Sequence, residues 1–327
     1  MLLNPEISVV IPVKNGAPWL DALLSALGKQ TLADRLEVIC IESGSEDASV
    51  SVIKKNPVSL IEISSSEFNH GLTRNLGARE AKGDFVVMTV QDAKPADDQW
   101  LEKLLRGFVD DDVAGVCGQQ IVAHEPDKNP VDWFNPQSKP ELELYQFNHS
   151  DEFDKLSPER KKQICGWDDV TACYRREALL KVPFREITFA EDAAWAMDTL
   201  RAGYKIAYNK EARVFHYHHE TRDFAIRRNL IVFYSRYKLF GYVPPKPVLT
   251  FRKKLSIIKT LIKAPISISQ KWYWWKYNME LHRSLVETQE MFQDAVSGGE
   301  IAMETLLEKY CKRVPVASEV KQTFVIR

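Results

Sequence analysis

The chain has 327 residues, of which 45% are hydrophobic and 27% are charged, so it can bury a large core. Its 44 Lys and Arg residues balance 45 Asp and Glu residues, which argues against a nucleic-acid-binding protein. The five cysteines are widely spaced and never paired as C-x-x-C. This spacing excludes a disulfide framework and a thiolate zinc site, and it favours a reducing compartment such as the cytoplasm.

The sequence contains no evident targeting or membrane-spanning segment. Residues 1–12 lack a basic start, and Pro5, Glu6 and Pro12 interrupt their apolar run, so a signal peptide is not expected. No stretch reaches the roughly 18 uninterrupted apolar residues that a bilayer requires. We therefore expect a protein that works inside the cell or on a membrane surface.

Apolar runs alternate with helical patterns in the first part of the chain. Strands are expected at residues 7–13, 36–41, 60–63 and 84–90, with helices between them. This alternation predicts an α/β fold with a mixed, mostly parallel sheet flanked by helices. Ligands bind at the carboxyl edge of such sheets, where the polar segments after Val13, Ile41 and Val90 would lie.

The second half of the chain changes character twice. Residues 126–158 show no clear period and look like an irregular insertion. Regular structure resumes with a strand at 168–174, helices at 176–181 and 191–202, and strands at 205–208 and 214–218. Beyond His219 the pattern predicts helices only, so we expect a catalytic domain over residues 1–221 and a helical region over 222–327.

The helical region combines basic and aromatic side chains. Lys253, Lys254, Lys259 and Lys263 precede the aromatic segment at 271–277, which contains Trp272, Trp274 and Trp275. Basic residues beside interfacial aromatics suit an anionic membrane surface. The alternative is that the tryptophans pack in a core or in a homodimer contact.

Two groups of residues suggest a metal site. Asp92 follows a buried strand, where a carboxylate can reach a nucleotide pyrophosphate through Mg²⁺ or Mn²⁺. His216 and His218 follow another strand and alternate onto one face, so either can be a ligand. An Asp that ends a strand is also a common turn or cap residue, and adjacent histidines can simply be solvated.

Two helix starts carry polar groups. The turn from Asn69 to Asn75 is rich in donors and can face an anion, or it can be a well-capped helix start. Glu191 and Asp192 begin another helix, where acidic residues also interact favourably with the helix dipole. Neither signal is decisive by itself.

The order of these motifs resembles the family-2 glycosyltransferases of the GT-A fold, and within them the rhamnosyltransferase-like branch. The matching segments are 8–12 with Asn15, 42–47, 68–71 with 73–78, 91–93 with Pro95 and 100–101, Ala172 with 174–176, 191–192 with Trp195, 202–206, and 216–218. The resemblance covers roughly residues 7 to 221.

The resemblance implies a role for each matching position. Donor contacts are expected from Pro12, Asn15, Glu42, Ser43, Asn69, Gly71, Arg74, Asn75 and Gln91. Asp92 matches the metal-binding carboxylate of the D-x-D motif, while Val90 stands where the motif has its first Asp. His216 matches a metal-binding histidine of some members, with His218 in reserve. Because Val90 removes the usual ribose contact, a dTDP-linked donor is expected, with UDP as the alternative.

Asp192 matches the catalytic base of the family's E-D pair, and Glu191 is expected to orient the loop or bind the acceptor. Acceptor contacts are expected from Trp167, Asp168, Asp169 and Trp195. The sequence thus predicts a metal-dependent, inverting enzyme that transfers a sugar, expected to be L-rhamnose, to a cell-surface polysaccharide or lipid-linked glycan. It would work in the cytoplasm or peripherally at the inner face of the membrane, without nucleic acid.

Two rival functions stay open. A nucleotidyltransferase shares the α/β layout, but it needs a longer Gly-rich, basic loop than Val13 to Gly16 provides after the first strand. A non-catalytic sugar- or nucleotide-binding module would use Glu191 and Asp192 only structurally.

Overall fold

A computed structural model describes residues 5–133 and 141–311, and these residues form two compact units. The first unit takes in residues up to Ile121 together with 138–216, and the second takes in 122–137 and the residues from Tyr217 onward. The boundary therefore lies a few residues before the predicted one near Thr221, and part of the predicted insertion belongs to the second unit. Residues 134–140 of that insertion and 312–327 of the helical region lie outside the described residues.

One mixed sheet forms the centre of the first unit. Its strands are β1 (Ile7–Val13), β2 (Leu36–Glu42), β3 (Ser59–Glu62), β4 (Phe85–Thr89), β5 (Lys94–Pro95), β6 (Val113–Ile121), β7 (Leu142–Tyr145), β8 (Thr171–Arg175) and β9 (Lys205–Phe215). They lie in the order β3-β2-β1-β4-β8-β6-β9-β5, and β7 also pairs with β9. Strands β1 to β4 pair in parallel, β8 is antiparallel to both β4 and β6, and β6 is parallel to β9.

The described helices follow the apolar spacing of the sequence. They are α1 (Ala17–Leu27), α2 (Ser49–Lys54), α3 (His70–Glu80), α4 (Trp100–Leu105), α5 (Pro130–Trp133), α6 (Ser150–Asp154), α7 (Pro158–Ile164), α8 (Arg176–Lys181), α9 (Glu191–Arg201), α10 (Arg222–Phe240), α11 (Phe251–Lys263), α12 (Ile268–Ser297) and α13 (Glu300–Tyr310). In α1, for example, Leu20, Leu23, Leu24 and Leu27 recur at helical spacing and are all buried.

Close packing joins the helices to the sheet in the first unit. A Cβ atom at Gly77 of α3 would lie 2.3 Å from Val10 of β1, so only glycine allows the helix to approach the strand this closely. The core combines β-branched residues of the central strands with the leucines of α1 and with Trp100, which is fully buried. This packing fixes the carboxyl ends of β1, β2 and β4, where the sequence predicted ligand-binding segments.

The second unit is built from α5 and from α10 to α13. Ile226, Leu230 and Phe233 of α10 pack with Phe292 of α12. Ile257 and Leu261 of α11 pack with Trp274 and Tyr277 of α12 in a second cluster. Ser267 and Gln270 form a reciprocal capping box at the start of α12. Among the described helices, none is long and apolar enough to cross a membrane.

The predicted alternation of strands and helices is confirmed in the first unit. The prediction that regular structure after His219 is helical is also confirmed for the described residues. The prediction of irregular structure over 126–158 was partly wrong, because β7 joins the sheet beside β9. In β7 the leucines are exposed while Glu143 reaches Lys210 of β9. Because the apolar residues of β7 face solvent and the polar ones face the protein, its sequence does not show the alternation of buried apolar residues by which a strand is usually predicted.

Candidate active site

Two strand ends bring Asp92 and His216 together. The chain leaves β4 at Thr89 and turns into β5, where Lys94 pairs with Phe215 at the end of β9. Asp92 lies within this turn, and His216 directly follows β9. Their side chains are largely buried, and Nε2 of His216 lies 3.4 Å from Oδ1 of Asp92.

Gln120, near the end of β6, determines how the His216 ring is presented. Its amide nitrogen donates to a carboxylate oxygen of Asp168, so its carbonyl oxygen faces Nδ1 of His216 at 2.7 Å and accepts the proton of that nitrogen. In the neutral ring this leaves the lone pair of Nε2 directed toward the Asp92 carboxylate. Two electron-rich atoms in this arrangement suit a cation between them.

The chemistry of these side chains fits a divalent metal. Asp92 and His216 belong to a group of side chains able to hold a metal ion together, whose third member, His218, follows His216 after one intervening residue. A carboxylate oxygen suits Mg²⁺ and Mn²⁺, and imidazole nitrogens are common ligands of divalent transition metals. The hydrogen bond from His216 to Gln120 is of the kind that orients histidines in known metal sites.

A second polar cluster surrounds the start of α9. Asp192 is half-buried at the first turn of this helix, and its Oδ1 accepts the backbone N–H of Ala193 at 2.7 Å. Burial raises the pKa of Asp192 well above its usual range, and the carboxylates of Glu191, Asp169 and Asp168 raise it further. The Arg74 guanidinium opposes this rise. A carboxylate with a raised pKa is a stronger base once it is ionised.

Arg74 of α3 holds the buried side of this cluster. Its guanidinium forms a buried ion pair with Glu191, and its Nε lies 3.1 Å from Oδ2 of Asp169. The Tyr174 hydroxyl donates to the other oxygen of Asp169, and Nε1 of Trp167 donates to Tyr174 at 2.6 Å. Burial alone would lower the pKa of Arg74, but the carboxylates of Asp169 and Glu191 raise it. Burial also raises the pKa of Asp169, to about 7, against the effect of Arg74.

The predicted donor segment on α3 contacts the loop that leads into α9. The Asn75 amide donates to the Phe184 carbonyl at 2.9 Å and accepts the Phe184 N–H at 3.0 Å. Asn69 caps α3 and donates to the carbonyl of Ile187 at 3.1 Å. A Cβ atom at Gly71 would lie 2.3 Å from the Arg185 carbonyl oxygen, so only glycine fits here. These residues therefore position the residues before Glu191.

The other predicted donor residues line the turns after β1, β2 and β4. Asn15 has a left-handed φ of 50°. It links the turn after β1 to the turn after β2, because its N–H donates to Oγ of Ser45 and its Oδ1 accepts the backbone N–H of Glu46. Gln91 forms two 2.9 Å hydrogen bonds with the backbone of Lys14. These bonds hold the turns after β1 and β4 side by side.

Three further predicted donor residues lie in the same region. Glu42 is buried at the end of β2 and accepts the N–H of Ser45. Ser43 is buried and donates through both N–H and Oγ to the Val13 carbonyl. Pro12 is half-buried in β1. All the predicted donor residues thus lie at the carboxyl edge of the sheet, in α3 or at the N-cap of α3.

Burial separates the predicted acceptor residues into two groups. Trp195 is fully buried and Trp167 is only 4% exposed, and the two rings pack with their centroids 5.1 Å apart. A buried ring cannot stack on a sugar, so these two predictions are corrected: both tryptophans are core residues. Asp169 is also buried, in its ion pair with Arg74, whereas Asp168 is half-buried and bonded to Gln120.

The sequence did not single out Gln120 or Tyr174 as site residues. Gln120 contacts both His216 and Asp168, and so connects the metal-binding candidates with the acidic cluster. Two consecutive glutamines, Gln119 and Gln120, stand just before Ile121 at the end of an otherwise apolar strand, and this change of polarity was an available signal. Tyr174 lies in one of the segments that match the family, but no contact was predicted for it, because a tyrosine in a buried strand usually packs.

Comparisons with known proteins agree with this arrangement. Residues 8–182 match the family described as Glycosyl transferase family 2. The chain is also 35% identical over 227 residues to the O-antigen chain rhamnosyltransferase WbaN of Salmonella anatum. The aligned residues cover 66% of this chain and 68% of that protein. The chain belongs to glycosyltransferase family 2. This glycosyltransferase is similarly 34% identical over 226 residues to the O-antigen chain rhamnosyltransferase RfbN of Salmonella typhimurium, with coverage of 66% and 68%.

Solved structures share the fold of this glycosyltransferase. One is TarS 1-349 of S. aureus in complex with UDP-GlcNAc, with a TM-score of 0.52, 16% identity, and coverage of 95% of this chain and 82% of that chain. Another is the mannosyltransferase PcManGT of Pyrobaculum calidifontis in complex with GDP-Man and Mn²⁺, with a TM-score of 0.50, 17% identity, and coverage of 94% and 79%. The predicted GT-A fold with a helical carboxyl-terminal region is confirmed.

Proposed function

We propose that this glycosyltransferase transfers L-rhamnose, with inversion, from a dTDP- or UDP-linked donor to a cell-surface polysaccharide or a lipid-linked glycan. The names of the two Salmonella relatives support rhamnose and an O-antigen chain as donor sugar and acceptor. The observation that carries the catalytic part is Asp192, a carboxylate with a raised pKa at the start of α9. Arg74 pairs with Glu191 beside it, and Asn69 and Asn75 hold the loop that leads into the helix.

Asp192 is the proposed catalytic base. A sugar hydroxyl is a poor nucleophile at neutral pH, so a positioned carboxylate must take its proton as the oxygen attacks the anomeric carbon. Attack from the face opposite the departing nucleotide inverts that carbon. Glu191 cannot share this role easily, because its carboxylate is paired with Arg74 in the protein interior. We assign Glu191 to positioning instead.

Asp92 and His216 are the proposed metal ligands, with His218 as the third. A bound Mg²⁺ or Mn²⁺ would stabilise the negative charge of the nucleotide diphosphate. The structural neighbour named with GDP-Man and Mn²⁺ supports a divalent ion in this fold. Gln120 then orients His216, and Asp168 orients Gln120.

The test of the base is Asp192→Asn, which keeps the shape and removes the basic oxygen. We expect kcat to fall by about 10²–10⁴-fold, while calorimetry shows nearly unchanged donor affinity. Asp198→Asn is the matched control, since it makes the same change at a partly exposed position of the same helix, where Asp198 pairs with Arg185. An Asp192→Asn enzyme within a few-fold of wild type would place the base elsewhere.

The test of the metal site is nucleotide binding by Asp92→Ala and His216→Ala. We expect both to weaken binding of the nucleoside diphosphate at limiting Mn²⁺, and EDTA to weaken it in wild type. Equal affinity with and without EDTA would exclude a metal-bridged donor. If His218→Ala impairs binding and His216→Ala does not, the histidine assignment moves to His218.

The same assays separate the rival functions. A non-catalytic binding module would bind nucleotide sugar, but even the wild-type protein with Asp192 intact would neither transfer nor hydrolyse it. A nucleotidyltransferase would release pyrophosphate from a nucleoside triphosphate.

We place the enzyme in the cytoplasm, peripheral at the inner face of the membrane. All five cysteines are free thiols, which suits a reducing compartment. A lipid-linked acceptor would keep the enzyme at the membrane surface. A homodimer is the alternative use of the helical region.

A further inference from the structure

Exposed apolar side chains concentrate in one short segment of the second unit. Of the exposed large hydrophobic residues in the described chain, seven fall between 248 and 272. They are Val248, Phe251, Leu255, Ile258, Ile262, Ile268 and Trp272. Phe251 is 75% exposed, Ile262 65% and Ile268 86%. Single exposed apolar residues are ordinary on protein surfaces, but such a concentration indicates an interaction site.

Helix α11 has two apolar faces. Ile257 and Leu261 are buried and attach the helix to Trp274 and Tyr277 of α12. Phe251, Leu255, Ile258 and Ile262 recur at steps of four, three and four residues, so they form one stripe along the helix. This stripe, which we call the α11 stripe, is directed away from the buried face. The packing of the second unit therefore accounts for one face and leaves the other exposed.

Basic residues border the α11 stripe. On a helical projection, Arg252, Lys259 and Lys263 lie along one side of it and Lys254 lies on the other, and all four are exposed. Residues 241–279 contain eight Lys and Arg residues and no Asp or Glu. Trp272, which is 59% exposed, follows at the start of α12, with the Lys276 amine 5.2 Å from its ring centroid.

We infer that the α11 stripe and its basic border dock this protein on an anionic lipid surface. An amphipathic helix with lysines beside an exposed apolar face lies in the interface of a bilayer, with its charges at the headgroups. Anionic headgroups attract the basic border, and tryptophan favours the same depth. Trp274 is fully buried, so it belongs to the packing of the unit and not to this surface.

A second copy of the chain is the less suitable occupant. In a two-fold dimer the same patch lies on both partners, so the basic borders of two α11 helices would face each other without any acidic residue from 241–279 between them. Repulsion between them would oppose this contact, whereas an anionic bilayer neutralises the same charges. The inference uses only the second unit and does not depend on the proposed reaction.

The experiment is flotation of the full chain with phosphatidylcholine vesicles, with and without phosphatidylglycerol. We expect binding only to the anionic vesicles, and weaker binding at high salt. The triple variant Arg252→Gln, Lys259→Gln and Lys263→Gln should bind about a hundredfold more weakly, at about fivefold per charge. Ile262→Glu should weaken binding by at least about tenfold, because its apolar burial is lost.

Two controls match these variants. Lys29→Gln, Lys54→Gln and Lys55→Gln remove the same charge from exposed positions of the first unit, and Ile301→Glu makes the same apolar-to-acidic change at an 81% exposed residue of α13. Both controls should float like wild type. Equal losses in the controls, equal binding to neutral vesicles, or no flotation of wild type would overturn the inference. So would a wild-type dimer in lipid-free sedimentation that Ile262→Glu converts to a monomer.

Discussion

Arg74 is the residue whose replacement tests the buried acidic cluster most directly. Its guanidinium neutralises Glu191 and Asp169, and all three side chains are at most 8% exposed. Replacement by Met keeps much of the volume and leaves two carboxylates buried without their cation. Removing one partner of a buried ion pair costs about 3–5 kcal/mol. For a unit of this size that is a fall in Tm of roughly 6–20 °C.

The pH dependence of this loss has a definite sign. The pKa of Asp169 is already raised to about 7, mainly by burial, and removing Arg74 would raise it further. A carboxyl whose folded-state pKa is raised loses stability as the pH rises from its unfolded-state pKa, about 4 for Asp, up to its folded-state pKa. Wild type and Arg74→Met share this loss up to about pH 7, the wild-type pKa of Asp169. The deficit of Arg74→Met should therefore grow as the pH rises above about 7 toward the higher pKa of the variant, and be smallest below about 7, where Asp169 is protonated in both folded proteins.

Thermal unfolding monitored by circular dichroism from pH 5 to pH 9 measures both effects. Asp169→Asn in the Arg74→Met background should recover part of the loss, with a coupling free energy of about 0.5–3 kcal/mol. Arg185→Met is the matched control, since Arg185 pairs with Asp198 at the surface. A loss below about 1 kcal/mol, or a deficit that does not change with pH, would refute the assignment of a buried charge cluster.

Two predictions concern Asp192. Because burial and three carboxylates raise its pKa, the acidic limb of the pH profile of kcat/KM should lie above the usual range of an Asp, and a limb at ordinary Asp values would contradict the proposed environment. Asp192→Asn should also stabilise the protein at neutral pH, by about 0.5–2 kcal/mol, since it removes a charge that the fold disfavours. That gain should disappear below about pH 4, where Asp192 is protonated in both the folded and unfolded states; a gain that persists there would have another cause.

The sequence predicted the sheet and the metal-binding candidates because both depend on local pattern. Apolar runs marked the buried strands, and polar residues directly after them marked the carboxyl edge. Asp92 and His216 each stand next to a strand end, so their proximity follows once β5 pairs with β9. Spacing alone did not reveal that pairing, because β5 has only two residues.

The contacts among distant side chains could not be predicted. Arg74 and Glu191 lie 117 positions apart, and both also suit a ligand or a helix start. Aromatic residues posed the same difficulty, since Trp167 and Trp195 are equally plausible as sugar platforms and as core residues until their burial is known. Periodicity identifies which face of an element is apolar, but it does not show which polar or aromatic groups share an interior.

Ala190 suggests how the backbone before Glu191 contributes to catalysis. Among the described residues other than glycine, only Asn15 and Ala190 have a positive φ, and Ala190 has φ 65° directly before α9. Asn tolerates this left-handed conformation, whereas for Ala it costs roughly 1–2 kcal/mol. The strain persists because α3 holds the loop through Asn75 and Phe184.

Ala190→Gly removes the steric strain but increases the conformational freedom of the unfolded chain, which costs about 0.4–1 kcal/mol. The relieved strain is at least as large as this cost, so Tm should stay the same or rise slightly. If the strained residue fixes the direction in which α9 begins, glycine loosens it, and kcat should fall several-fold with unchanged donor affinity. Ala202→Gly, at the other end of α9 with φ −78°, should lower Tm and leave kcat unchanged. An Ala190→Gly enzyme with full kcat would mean that the left-handed residue is a tolerated cost of the loop and does not orient Asp192.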